Sequence, residues 1–266
     1  MTTDMRRAVK DDRAAIDKAI SLLISFGGDA ATGVGVSELA RRADLSKSTA
    51  FRILGLLERN GVVERIDRLY RLGGRLHEIG RHVYSPEHDS VRDLLIPFLT
   101  DLYERTHDTV HLAVLHGTDV MYLAKLHGHR PVPCPSRIGG RVPAHCTALG
   151  KSLLAHDPDA QERVLSSGLR RYTSATISAP EDFLTQLATV RRDGVARDDQ
   201  EVRLGLSCVA APILGRNGRP VAALSVSMPS GRPAELVAAE KTLRQIVAAA
   251  TPAVSRYDLT RRARSA

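Results

Sequence analysis

Cysteine is scarce in this chain. Cys134, Cys146 and Cys208 are the only three, an odd number with no C-x-x-C pair. That argues against a disulfide scaffold and the common zinc fingers, and it suits a reducing compartment. Long apolar runs are also missing, since none approaches the roughly 20 residues that cross a bilayer. The opening MTTDMRRAVKDDR is charged and lacks the apolar core of a signal peptide. The expectation is a soluble cytoplasmic protein with no membrane partner, no metal and no other cofactor.

Positive charge is in excess, at a formal +8 and a sequence pI near 9.7. Residues 1–85 hold 15 Lys/Arg against 11 Asp/Glu, and residues 86–266 hold 23 against 19. The first segment is less than half as long, so its charge is denser. That points to an anionic partner at the N-terminal end, nucleic acid above all. With 266 residues, 43% of them hydrophobic and 26% charged, the chain has the length and composition for two modest globular domains.

Residues 36–70, VSELARRADLSKSTAFRILGLLERNGVVERIDRLY, carry the most information. Val36, Leu39, Ala40 and Ala43 recur at helical spacing and give one apolar face. Asp44-Leu45-Ser46 breaks the pattern, and Ser46 is placed to cap the next helix with its side-chain oxygen. There Ala50, Ile53, Leu54 and Leu57 form the buried stripe, and Asn60-Gly61 supplies the stop. Lys47, Ser48, Thr49 and Arg52 stand outward near the start, with Phe51 at the margin of the stripe. This is the layout of a helix-turn-helix, whose second helix offers its first turns to the major groove. Lys47 and Arg52 would neutralise phosphate or donate to guanine, and Ser48 and Thr49 are short donors. Phe51 would either touch a thymine methyl or pack. Residues 62–65 and 69–72, joined at Asp67-Arg68, look like a wing whose Arg65, Arg68 and Arg71 are expected to face a sugar–phosphate backbone. The competing reading is a plain helical hairpin; the cap, the glycine stop and the basic hairpin in succession argue against it.

Residues 1–11 are polar and expected to be loose. Over 12–26, Ile16, Ala19, Ile20, Leu23 and Ile24 predict an amphipathic helix packed across the helix-turn-helix. Gly27-Gly28-Asp29 ends it, and 30–35 is a loop. Residues 73–84 predict a short helix broken at Ser85-Pro86. Residues 90–106 predict a longer one, with Val91, Leu94, Leu95, Phe98, Leu99 and Leu102 on one side and a kink at Pro97. That helix would act as a lever or dimer seam, or as a core helix of the second domain. Apolar runs at 110–115 and 120–126 flank His116-Gly117-Thr118-Asp119, a hairpin signal. Residues 127–143 form a loop or edge. Helices are expected at 148–156, 159–167 and 182–192. A second hairpin, 208–214 and 221–228, turns at Asn217-Gly218, with Pro212 and Pro220 placing both strands near an edge or bulge. A final amphipathic helix spans 233–257. Mixed helices and strands make the class α+β.

Two stretches go beyond pattern: RVPAHCTALGKSLLA at 141–155 and RDDQEVRLGLSCVAAPILGRNGRPVAALSVSM at 197–228. With the winged helix-turn-helix in front, they make the chain resemble the IclR family of bacterial transcription regulators from Ile16 to about Val254. The resemblance implies a winged helix-turn-helix DNA-binding domain at 1–73, linker helices at 74–106 and a GAF/profilin-like effector-binding domain at 107–257. A disordered basic tail at 258–266 would follow. It further implies a homodimer, pairing again into tetramers, and a small-molecule cavity lined by Ala148, Leu149, Asp198, Leu206, Cys208, Ser225 and Ser227. The residues themselves agree in part. Ser225 and Ser227 share a strand face and need partners if buried. The N–H groups of Ala148 and Leu149 open a helix and suit a carboxylate. Asp198 would accept from a hydroxyl or amine. Plainer readings stand beside these: serines bonding the local backbone, Cys208 as a small buried residue, and Asp198-Asp199 as a solvated turn. Ala148-Leu149 is bulkier than the Gly-Ala of some relatives, which bears on ligand size. Gln200 stands where an acidic residue is frequent.

The function implied is a ligand-responsive regulator, a repressor on a palindromic double-stranded operator, with a small organic acid or aromatic compound as effector and no catalytic residues. Three alternatives are open. A hydrolase-like enzyme is suggested by Gly205-Leu206-Ser207-Cys208-Val209, a nucleophile elbow lacking its last glycine, and by His145 beside Cys146, although neighbours on a strand point apart. A metal site would use His127, His129 and Cys134 but lacks a fourth ligand at standard spacing. A constitutive DNA binder would have no ligand at all.

Overall fold

The structure is a computed structural model that describes residues 14–30, 32–80, 86–130, 132 and 134–265, with side chains up to 256. The segment 1–11 and the break at Ser85 lie outside the described residues. The chain divides into two compact units, Met1–Val83 and Tyr84–Ala266.

The first unit runs α1 (Ala15–Ile24), a 3-10 turn (Gly27–Asp29), β1 (Val34–Gly35), α2 (Val36–Arg42), α3 (Lys47–Arg59), β2 (Val63–Ile66), β3 (Leu69–Leu72) and α4 (Gly74–Gly80). Leu39, Ala40, Ala43, Ala50, Ile53 and Leu54 meet Leu22, Phe26, Val34, Val63 and Tyr70 in one small core. Burial of each large side chain there contributes roughly 1.5–3 kcal/mol. The sheet order is β1-β3-β2, all antiparallel. The segment expected as loop therefore contains a strand, too short at two residues to show a period.

α1 corrects its expected face. Leu22 and Phe26 are buried, with Ala19 and Leu23 packed beside them. Ile16, Ile20 and Ile24 are 76%, 50% and 72% exposed. The helix has two apolar rows, and the small core has room for one. Gly73 is required by contact: a Cβ there would strike the Gly61 backbone, because the Gly73 N–H donates to the Val62 carbonyl at 2.9 Å.

The second unit begins with α5 (Pro86–Thr106), then β4 (Thr109–His116), β5 (Asp119–Leu126), β6 (Arg141–Pro143) and a 3-10 turn (Ala144–Cys146). Next come α6 (Ala148–Leu154), α7 (Pro158–Ser167), α8 (Pro180–Asp193), β7 (Ala196–Asp199), β8 (Leu206–Leu214), β9 (Pro220–Pro229) and α9 (Pro233–Ser265). α5 starts earlier than its apolar period because Pro86, Glu87 and Asp89 favour a helix start. Pro97 lies inside it without ending it. α9 stays helical to Ser265, so the backbone of the tail expected to be disordered is helix. Beyond Pro252 no Gly or Pro occurs to stop it.

Six antiparallel strands take the order β6-β5-β4-β9-β8-β7. α5 and α9 cover one face, burying Val91, Leu95, Leu99 and Leu102 against Leu243, Ile246 and the sheet. α6 and α8 cover the other, with Leu153, Leu154, Phe183 and Leu187. Of the edge or bulge expected from Pro212 and Pro220, the ladder shows the bulge, a register shift between Ile213 and Leu214, while β9 is central and β8 has strands on both sides. The prolines are tolerated because β7 stops at Ala210, short of Pro212, and because the ladder shifts register between Ile213 and Leu214, the partner of Pro220. Among the described residues no helix is long and apolar enough to cross a membrane.

Candidate functional site

The DNA-facing candidate is α3. The Ser46 hydroxyl accepts the Thr49 N–H at 3.1 Å and caps the helix, as its position in the sequence requires. Its oxygen also lies 3.0 Å from Ser48 Oγ, and it donates to Thr49 Oγ1 at 2.8 Å. Lys47, Ser48, Phe51 and Arg52 are exposed and Thr49 half-buried. Among the described residues Lys47 and Arg52 have no hydrogen-bond or ion-pair partner. The first turns of α3 thus present two free cations, short hydroxyls and one exposed ring.

The wing does not bring its three arginines to one face. Glu64 lies opposite Arg71 and Arg65 opposite Tyr70, and the strand period of two then separates Arg65 from Arg71. Arg71 is held by Glu64 at 2.6 Å, and that guanidinium keeps the Glu64 carboxyl below its usual range. Arg65 donates to the Asp67 carbonyl and lies over the Tyr70 ring, 5.8 Å from its centroid. Arg68 stands at the exposed tip beside Asp67.

The second candidate is a cavity of about 20 Å³ between the sheet and α6, room for about one water. All seven residues implied by the resemblance line it: Ala148, Leu149, Asp198, Leu206, Cys208, Ser225 and Ser227. The topology explains the convergence. β7 pairs Asp198 with Cys208, and β8 pairs Cys208 with Ser227, so alternate residues of three strands point at the start of α6. Thr147 caps that helix, accepting the Gly150 N–H at 3.0 Å. Gly150 is needed because a Cβ would land on the Ala144 backbone.

Sequence reasoning missed His111, Tyr122, Ser136 and Thr147, which line the same cavity. His111 is wedged between two hydroxyls, with Nε2 2.8 Å from Ser136 Oγ and Nδ1 3.3 Å from Ser225 Oγ. Burial, then the charges of Lys125 and His127, push its pKa down to about 3, so it is neutral near pH 7. A lone polar residue at an inward position of an apolar strand was the available signal. Cys208 Sγ lies 3.1 Å from Ser227 Oγ, and burial pushes its thiol well up.

Asp198 is not part of a solvated turn. It is 1% exposed, and its Oδ1 accepts the Glu201 N–H at 2.7 Å. Its Oδ2 is buried with no partner among the described residues. Burial raises its pKa to about 7, against the lowering effects of that N–H and of Lys151. Beside it the fully buried Lys151 is ion-paired with Glu201 and donates to Gln186 Oε1 at 2.7 Å. Gln200 closes the same loop, its Oε1 accepting the Gly205 N–H at 3.1 Å.

The rival chemistries find little geometry. Ser207 donates to Asp199 Oδ1 at 2.9 Å and points away from the cavity, which its neighbours Leu206 and Cys208 line. His145 and Cys146 sit in a 3-10 turn, not on a strand. His145 Nε2 meets the Arg170 carbonyl at 2.9 Å, while Cys146 turns to Pro143. Among the described residues no three His, Cys, Asp or Glu side chains are placed to hold a metal ion. His129 instead stacks on His107, with 4.8 Å between centroids.

Comparison with known proteins decides the family. The model for the bacterial transcriptional regulator IclR C-terminal domain matches residues 86–256, and that for the IclR helix-turn-helix domain matches 15–67. The chain belongs to the IclR family of transcription regulators. It is 33% identical over 237 residues to the HTH-type transcriptional regulator XynR of Escherichia coli, covering 87% of this chain and 93% of that one. It is 30% identical over 216 residues to the transcriptional repressor IclR of the same organism, covering 79% and 78%. Among solved structures it is similar to the IclR of Thermotoga maritima, with a TM-score of 0.74 and 30% identity over 90% of this chain and 98% of that one. An IclR homolog from Microbacterium hydrocarbonoxydans, complexed with 4-hydroxybenzoate, gives a TM-score of 0.69 at 29% identity over 91% and 99%. An IclR-family chain of this fold is a helix-turn-helix DNA-binding regulator with a C-terminal effector-domain fold, which is the class its own α3 and cavity suggest.

Proposed function

We propose that this protein is a ligand-responsive repressor that acts as a homodimer on a palindromic operator and releases it when a small organic acid or aromatic compound enters the second unit. The observation that carries the reading is the cavity, in whose lining Asp198 Oδ2 lies buried without a partner among the described residues. A buried polar atom left unpaired costs about 1–3 kcal/mol, and an effector able to pair it recovers that cost. The N–H groups of Ala148 and Leu149, with Ser225, Ser227 and Ser136, offer donors to a carboxylate. Because the cavity is small, binding must be accompanied by movement of its lining. The effector changes operator affinity only by favouring one conformation over another.

In this reading Ser46 orients α3, and Lys47, Ser48, Thr49, Phe51 and Arg52 read bases and nearby phosphates. Arg68 grips the backbone at the wing tip, with Arg65 and Arg71 in supporting positions. The exposed row Ile16, Ile20 and Ile24 supports a dimer through the N-terminal unit, since an apolar row of this kind on a small domain marks a contact surface. A role in the cytoplasm fits a regulator of DNA, and a tetramer is the further assembly to look for. Replacing both Ser225 and Asp198 with Ala is expected to leave operator binding intact and abolish the response to effector. A normal response in that double variant would place the effector elsewhere.

A further inference from the structure

Among the described residues, Asp198 Oδ2 is a buried carboxylate oxygen in the cavity lining with no hydrogen-bond partner. The ammonium that acts on it, Lys151 of α6, is committed to Glu201 and Gln186, so Asp198 has no ion-pair partner of its own among the described residues. The other titratable groups facing it are Cys208 from β8, Cys146 from the 3-10 turn, Cys134 from the loop before β6 and Tyr122 from β5. Burial pushes all four up, which keeps them neutral. His111 from β4 is neutral as well. Lys125 lies opposite His111 in the sheet and donates to the Ser136 carbonyl at 3.2 Å.

An effector carboxylate held by Ser136, Ser225 and Ser227 would enter this same cavity of about 20 Å³, beside Asp198. Two carboxylates held in one small buried cavity cannot both stay ionised, and one of them takes a proton. On the reading of the cavity as an acid-effector site, we propose that binding takes up one proton from solvent: Asp198 Oδ2 becomes the hydroxyl of a carboxylic acid and donates to the effector's carboxylate. The balance is simple. One anion and one proton enter, one O–H bond forms, and the net charge of the cavity is unchanged. The burial that lifts Asp198 to about 7 places the uptake near neutral pH. Above that value affinity for a carboxylate falls about tenfold per pH unit, and below it affinity is flat because the proton is already there. The protein would then respond to acidity as well as to its metabolite.

The test is titration calorimetry of the full-length protein with acetate, lactate, benzoate and 4-hydroxybenzoate, in Tris and in HEPES, whose ionisation heats differ. Uptake of nearly one proton per bound carboxylate at about pH 8, falling toward none at about pH 6, is expected from the linkage. Asp198→Asn carries a permanent donor and should bind carboxylates about tenfold more tightly than the native protein at about pH 8, with no pH dependence. Carboxylate binding without proton uptake overturns the inference and leaves the effector site standing. If no carboxylate binds at any pH, the acid-effector reading and the inference fall together.

Discussion

Single side chains carry much of this molecule's physics. Ser46 caps α3 with one bond, so Ser46→Ala is expected to cost about 1 kcal/mol of stability, read as a lower melting temperature with effector binding unchanged. Lys151→Met would strand the Glu201 carboxylate in the interior and should cost about 3–5 kcal/mol, whereas the double change with Glu201→Leu should recover most of it. A double variant as unstable as the single would deny the pair its role. Asp198 has a folded pKa raised from 3.8 to about 7. The folded state therefore holds its proton where the unfolded chain has lost it. That contribution is fully present below the unfolded value and is lost as pH rises through about 7. Asp198→Asn should accordingly melt higher than the native protein in mild alkali. The seven residues that line the cavity were named from the family resemblance that two motifs carry, not from the residue pattern alone. His111 was not, since one histidine in an apolar strand has no spacing of its own.

At the scale of elements, the wing separates roles that its composition blurs. Arg71 is paired with Glu64 in the free protein, while Arg68 stands at the tip. Arg68→Ala should flatten the dependence of operator affinity on salt by about one unit of slope, and Arg71→Ala should change it less. Equal effects on DNA binding would mean that Glu64 releases its partner on contact. Arg52→Ala should relax base discrimination by about 1–3 kcal/mol if its guanidinium spans a guanine; unchanged discrimination would remove it from the base contacts. Helices α2, α3, α5 and α9 were readable from their apolar period. β1 was not, at two residues, and β7 was hidden by its sequence Ala-Arg-Asp-Asp. That strand owes its place to pairing with β8, not to its own propensity.

For the whole molecule, the two-unit division follows from one small core in the N-terminal unit and two larger clusters, one on each face of the sheet, in the C-terminal unit. The period of α1 was visible in the sequence, but which of its rows is buried was not, because both are apolar. Replacing Ile16, Ile20 and Ile24 together with Gln should leave the fold of each unit intact and weaken self-association, read by sedimentation against protein concentration. An unchanged association would place the dimer contact elsewhere.

The most direct measurement is the affinity of the purified protein for labelled duplex DNA from its own promoter region, followed by fluorescence anisotropy as salt and small carboxylates are varied. The account predicts tight, salt-sensitive binding that a carboxylate reverses in the native protein and fails to reverse in the Ser225→Ala, Asp198→Ala variant. Indifference to that DNA at low ionic strength, or release that proceeds equally well without the two cavity side chains, would contradict it.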